Sequence, residues 1–279
     1  MAKVVVFHNM KGGVGKSTLA CLLASYYQYD LGRKVLMIDA DTGQHTQVGW
    51  REVDLENLNR AKALISQEGI DEESVRNYAN NIQYPHLLRA LDNTRRGIGN
   101  SFYSLSVASL VDLAEFNLRE ADYDYVFVDL GGKLEKQEEL ESLCGMADYY
   151  FITSSTTSTD TKATLDYLLF LRKVMSELPN EHIPQLRLVW FKWQPFHLKI
   201  TSGWEWYFGS DGVMGLFSQF RFVKGKIRFA EVGFNDRKLR SSVGSPFGSL
   251  DLKERGDGHT VPEYILATRD LLEEISQEL

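Results

Sequence analysis

Cysteine is scarce in this chain. Two residues, Cys21 and Cys144, stand far apart in a sequence of 279. Two thiols so separated build neither a disulfide framework nor a zinc module, and a reducing cytoplasm is their expected setting. Proline is thin as well, six in all, and no repeat or Ser/Gly/Pro-rich linker divides the chain. A single domain over residues 1–279 is therefore expected, with a helical insertion at about 51–100. Long apolar runs are missing: nothing approaches the roughly 20 residues that span a bilayer. Val4–Phe7, four apolar residues ahead of His8 and Asn9, is too short for a secretory signal. Net positive charge is absent too, the formal value being −7, so bulk charge gives no footprint for nucleic acid. What is present is 43% hydrophobic and 25% charged residues, the balance of a folded domain with a sizeable core.

The average charge hides an asymmetry. Residues 112–148 hold eleven acids and three bases, whereas residues 219–240 hold seven bases and two acids. The basic residues Arg221, Lys224, Lys226, Arg228, Arg237, Lys238 and Arg240 are interleaved with Phe220, Phe222, Phe229 and Phe234. Such a segment either binds a polyanion through counterion release or is an ordinary solvated face over core phenylalanines.

Short continuous apolar runs recur along the chain: Val4–His8, Lys34–Asp39, Tyr103–Ala108, Tyr125–Asp129, Tyr149–Thr153, Leu186–Phe191 and Ile227–Val232. Runs of this length suit strands buried on both faces. Helical spacing lies between them, from Lys16 to near Gly32, over Leu165–Leu178 and over Glu263–Leu279. Alternating strands and helices predict an α/β fold with a mostly parallel central sheet and helices on both faces. In such sheets ligands sit beyond the carboxyl ends of the strands. The loops after Phe7, Ile38 and Val128 are the ones to search.

The first of these loops reads Asn9-Met10-Lys11-Gly12-Gly13-Val14-Gly15-Lys16-Ser17-Thr18. Glycines let a backbone curl so that its N–H groups face phosphate oxygens, and a helix N-terminus adds partial positive charge. Lys16 is placed to reach the β- and γ-phosphates and the Ser17 hydroxyl to hold Mg²⁺. Gly12 through Thr18 is thus the expected nucleotide-binding stretch. The strict G-x-x-x-x-G-K-[ST] pattern fails by one residue, Met10 standing where glycine is required. The second loop reads Asp39-Ala40-Asp41-Thr42-Gly43-Gln44. An acid there can hold a water of Mg²⁺ or position an attacking water. The fourth run ends Asp129-Leu130-Gly131-Gly132. A buried strand that ends in Asp pins a carboxylate near a metal, and Gly131 allows close backbone approach to a γ-phosphate.

Lys11-Gly12-Gly13-Val14-Gly15-Lys16-Ser17-Thr18 resembles the deviant Walker A motif of the ParA/MinD family of P-loop ATPases, nearest to the ParA partition branch. The resemblance implies a SIMIBI-type P-loop domain that binds ATP and Mg²⁺. Lys11 then matches the signature lysine, which reaches the phosphates of a partner subunit in an ATP-sandwiched homodimer. Asp39 matches the acid near Mg²⁺, Asp129 the Walker B metal acid, and Asp41 the aspartate that activates water. Lys11, Lys16 and Asp41 would be catalytic, and Ser17, Asp39 and Asp129 would serve the metal. The branch further implies plasmid or chromosome partition through non-specific DNA and a ParB-like or adaptor protein, in the cytoplasm at the nucleoid.

The sequence departs from the family at three places. Thr42 stands where the family often has proline, Leu130-Gly131-Gly132 lacks another, and Phe191-Lys192-Trp193-Gln194 lacks the asparagine that reads adenine. Glu263–Leu279 carries five acids and one arginine, so membrane attachment through a basic C-terminal helix is not expected. Two other readings stand beside the first: a regulatory ATPase of a conjugation, secretion or cell-surface system with a protein cargo, and a metabolic ligase of the dethiobiotin synthetase type.

Overall fold

The computed structural model describes residues 1–41, 43–65, 102–115, 117–132, 137–179, 183–193, 195–209, 220–223, 242–244, 246–247 and 263–279. Strand β1 (Lys3–Phe7) leads through a glycine turn into α1 (Lys16–Ser25). A π-helical turn over Tyr26–Asp30 extends that helix to Gly32, whose φ of +65° glycine takes without strain. Then follow β2 (Val35–Ala40), α2 (Thr46–Ile65), β3 (Ser104–Val107), α3 (Leu110–Glu115), β4 (Tyr125–Leu130) and α4 (Gln137–Met146). The chain continues through β5 (Tyr149–Ser155), α5 (Ser158–Glu177), β6 (Gln185–Phe191), α6 (Leu198–Gly209), β7 (Phe220–Phe222) and α7 (Glu263–Glu278).

The seven strands form one sheet in the order β3-β2-β4-β1-β5-β6-β7, and every pairing is parallel. The α/β parallel fold expected from the apolar runs is thus observed. Both faces of the sheet are dry, which is why its strands are continuous apolar runs. Val4, Val6, Val126 and Val128 face a core shared with Leu140 of α4 and Leu168 and Leu171 of α5. Their alternates Val5, Phe7 and Phe127 face Leu19, Leu22 and Leu23 of α1 and Leu271, Leu272 and Ile275 of α7.

Helix α5 begins earlier than its apolar spacing suggests. Thr157 caps it, its hydroxyl accepting the Asp160 N–H at 3.2 Å. The strand expected over Ile227–Val232 lies outside the described residues; the seventh strand seen is Phe220–Phe222. Of the expected insertion at about 51–100, α2 covers the first part, and 66–100 lies outside the described residues. Among the described residues no helix is long and apolar enough to cross a membrane.

Register places the chemistry. Phe7 pairs with Asp129, and Asp129 pairs with Asp39, so both acids stand at one level at the carboxyl ends of neighbouring strands. This arrangement depends on the central packing. Phe127 is fully buried, with its ring 5.8 Å from Phe7 and 5.6 Å from Tyr27 in edge-on contacts. Phe127→Ala should cost about 3–5 kcal/mol in urea denaturation; a loss below about 1 kcal/mol would contradict this account of the core.

Candidate functional site

The glycine turn closes over the carboxyl ends of β1, β4 and β2 and walls a cavity of about 960 Å³. Gly13 and Gly15 hold φ values of +75° and +97°, left-handed conformations that side chains rarely take. At Gly15 space demands glycine too, because a Cβ would lie 2.5 Å from the Phe191 ring. Gly12, Gly13, Gly15, Lys16, Ser17 and Thr18 line the cavity, with Asp41 and Gly131 opposite. Val14 belongs to the same turn but is fully buried, so its side chain serves the core.

Lys16 is 7% exposed, and its Nζ donates to the Lys11 carbonyl at 3.1 Å. Burial lowers its pKa, while the charges of Asp129 and Asp41 oppose that shift. Asp129 is fully buried. Desolvation raises its pKa to about 7, against the favourable Gln47 and Ser17 hydrogen bonds, and the neighbouring Asp39 charge adds to the rise. Its Oδ2 accepts the Gln47 amide at 2.7 Å, whereas Oδ1 is buried without a hydrogen-bond partner. A buried carboxylate oxygen with spare lone pairs beside a serine hydroxyl is a hard-oxygen donor set that fits Mg²⁺.

Asp39 stands in a different position. Its Oδ2 accepts the backbone N–H groups of Gln47 at 2.8 Å and Val48 at 3.2 Å, and its Oδ1 accepts that of Asp41 at 3.3 Å. These bonds offset the desolvation that raises its pKa. In this structure Asp39 fastens the second loop and the start of α2 to the sheet. Asp41 is half-buried on the cavity wall, and a Cβ on Gly131 would lie 2.8 Å from its Oδ1. A Cβ on Gly132 would lie 2.8 Å from the Met10 carbonyl oxygen. The two glycines after Asp129 thus let three loops touch.

Lys11 sits on the rim. Its backbone N–H donates to Asn9 Oδ1 at 3.0 Å, and its Nζ lies 3.8 Å from Asp160. Arg221 is exposed on the edge strand β7; Lys224, Lys226, Arg228, Arg237, Lys238 and Arg240 lie outside the described residues.

Sequence reasoning missed Gln47, whose side-chain amide bridges Asp129 and the Ser17 carbonyl (2.9 Å). It also missed His8, fully buried with Nδ1 2.8 Å from the Tyr167 hydroxyl. Burial first, and the Lys16 charge second, push the His8 pKa down to about 3, so the ring is neutral. A histidine directly after a buried strand was the available signal. Gln47, in the first turn of α2, gave none, being one polar residue among several.

A parallel sheet whose first strand runs through a glycine turn into a helix, with a lysine and a serine at the turn and an aspartate on the adjoining strand, defines a P-loop protein. Residues 2–183 match the family model described as AAA domain (AAA_31), and the chain belongs to that family, the ParA/MinD type of P-loop ATPases. The fold is similar to the MinD cell division protein of Aquifex aeolicus, with a TM-score of 0.52, 16% identity, and coverage of 100% of this chain and 98% of that one. It is also similar to the cell division ATPase MinD of Pyrococcus furiosus (0.51, 14%, 100% of each chain) and to apo McdA of Cyanthece (0.51, 15%, 98% and 100%). At such identities these likenesses establish the fold alone. No curated protein matches the sequence significantly.

The raised Asp129 pKa has a definite sign. Between the unfolded value of about 3.9 and the folded value the native state holds a proton that the unfolded chain lacks. Metal-free stability should therefore fall as pH rises from about 4 to about 7, and level off above. Asp129→Asn removes that titration. In chelator, the variant should exceed the parent by roughly 2–4 kcal/mol at alkaline pH and match it near pH 4. Chemical denaturation across pH checks this, and parallel profiles for the two proteins would refute it.

Proposed function

We propose that the chain is a Mg²⁺-dependent ATPase that dimerises on ATP and acts in plasmid or chromosome partition or positioning, through DNA and a ParB-like partner. One observation carries the nucleotide part: a buried lysine at the head of α1 lines a glycine-walled cavity, and behind that wall, beside Ser17, stands a buried aspartate with an unpartnered oxygen. Each charge is costly alone in so dry a place. A triphosphate with its divalent cation complements both.

In this reading the N–H groups of Gly12 through Thr18 and the Lys16 ammonium bind the β- and γ-phosphates. Ser17 and Asp129 would hold Mg²⁺, which would supply positive charge to the phosphates. Asp41 orients the attacking water and takes its proton as the γ-phosphate leaves ADP. Its place on the cavity wall against Gly131 supports that role. Asp39 acts by holding Asp41's loop, through the Asp41 N–H and the two bonds at α2.

Lys11 supplies the second cation, across a dimer interface. Its Nζ is only loosely tied, since a half-exposed pair at 3.8 Å contributes ~1 kcal/mol at most. Its backbone, by contrast, is pinned by Asn9, whose side-chain amide donates to the Thr153 carbonyl at 2.8 Å and to Thr164 Oγ1 at 3.0 Å. A fixed base under a releasable ammonium suits a group that leaves one partner for another.

The partition role rests on the motif's resemblance to the ParA branch and on the basic segment over residues 219–240. The protein-cargo reading is favoured by a separate observation. Phe196, Leu198 and Trp206, at and along α6, are 72%, 55% and 72% exposed, more apolar surface on one short stretch than solvation alone explains.

Lys16→Ala should abolish MgATP binding in calorimetry, a loss of at least 100-fold; unchanged affinity would remove the P-loop assignment. Asp41→Ala should bind MgATP and accumulate as a dimer, because hydrolysis no longer resolves it; a monomer by light scattering in saturating ATP would sink the sandwich. Retention on DNA should require ATP and weaken steeply with salt. ATP-independent or absent retention would favour the protein-cargo reading.

A further inference from the structure

Strand β6 ends at Phe191, and its ring lies directly beneath the glycine turn, so closely that only glycine fits at position 15. The residue that follows is therefore fixed relative to that turn. It is Lys192, which takes a φ of +53°, a left-handed backbone that a long side chain adopts at a cost. Only His45 shares this property among the described non-glycine residues. The bend aims the Lys192 side chain back over the turn. Its Nζ makes a long contact of 3.4 Å to the Gly13 carbonyl oxygen, across 179 positions of sequence. The side chain is exposed, lines the same cavity as Lys16, Ser17 and Gly131, and pairs with no carboxylate among the described residues.

Three lysines thus gather at one turn: Lys16 on the Lys11 carbonyl, Lys11 on the rim, and Lys192 on the Gly13 carbonyl. Like charges brought together repel, and a neutral carbonyl is a weaker acceptor for an ammonium group than a charged phosphate oxygen. A lysine also carries donors only, so it suits an acceptor-rich anion.

We propose that Lys192 is a third cationic contact to the polyphosphate of the bound nucleotide, supplied by the same subunit. The inference rests on the reading of the turn as a triphosphate site and adds to it a residue from the far side of the sheet. In that complex the Lys192 ammonium exchanges the Gly13 carbonyl for a phosphate oxygen.

The test uses the full chain with Lys192→Asn and Lys192→Gly, which both remove the charge and suit a left-handed backbone. Lys192→Arg keeps the charge. Thermal melts establish that each variant is folded, and calorimetry measures MgATP and MgGTP across a salt series. Asn and Gly should each weaken MgATP about tenfold and flatten the dependence of affinity on salt, with the ATP-to-GTP ratio unchanged. Arg should stay within about threefold of the parent. Parent-like affinity in the Asn and Gly variants overturns the proposal. So does a shift in the ATP-to-GTP ratio without loss of salt dependence, which would put the side chain on the base. Should Lys16→Ala also bind MgATP normally, the failure lies with the triphosphate site itself.

Discussion

Burial of opposite charges beneath a backbone turn is the constraint on which this molecule is organised. Asp129 is shut from solvent at the end of a central strand, and the register of a parallel sheet leaves it beside Asp39. Lys16 is nearly as buried, above them. Packing alone would not choose such neighbours, since each carries a desolvation penalty. The structure meets that penalty with neutral dipoles. Gln47 gives its side-chain amide to Asp129 and its backbone N–H to Asp39, while the Lys11 carbonyl receives Lys16. Dipoles of this kind hold the charges in position without cancelling them, so the electrostatic demand at the cavity persists.

The turn is also braced from the side. His8, Asn9 and Lys11 meet Tyr167, Thr164 and Asp160, residues spaced three and four apart on one face of α5. The neutral His8 ring continues this line inward, because Tyr167 in turn bonds Tyr150 at 2.7 Å. The brace is strong where it is buried and weak at the rim, where Lys11 and Asp160 are partly solvated. Any event that moves Lys11 therefore disturbs the exposed end of α5 while its buried end holds.

Much of this was legible in the residues alone. The apolar runs gave strands and sheet type, because a strand buried on both faces has no choice but to be apolar. The turn was legible because left-handed backbone and a helix start require glycines at fixed spacing, as Gly13 and Gly15 bear out. Asp129 was legible as the polar end of such a strand. That Asp39 spends its oxygens on the second loop and the start of α2 was not, since two acids two residues apart look alike until register and hydrogen bonds distinguish them. Gln47 and Asp160 were invisible for a related reason: their positions depend on where α2 and α5 start, and caps of that kind are set by tertiary contact. Lys192 stood out only as a missing asparagine, and its direction depends on a φ value that no composition reveals.

The departures from the family's loop sequences have a physical resolution here. A proline after Asp41 would stiffen that loop by fixing one dihedral. This chain stiffens it with hydrogen bonds instead. The Asp41 side chain accepts the Gly43 N–H at 3.2 Å, and its carbonyl accepts those of Gln44 at 3.2 Å and His45 at 2.9 Å. That is the local bonding by which an aspartate imitates a turn. The same choice explains the glycines after Leu130. A loop shaped by the Asp41 carboxylate brings that carboxylate toward β4, where a Cβ at position 131 would displace it. The hydrogen-bonded loop thus sets the Asp41 carboxylate against position 131. It leaves the Asp41 oxygen both a structural acceptor and a wall of the cavity, so the order of this loop and the chemistry at the cavity depend on the same carboxylate.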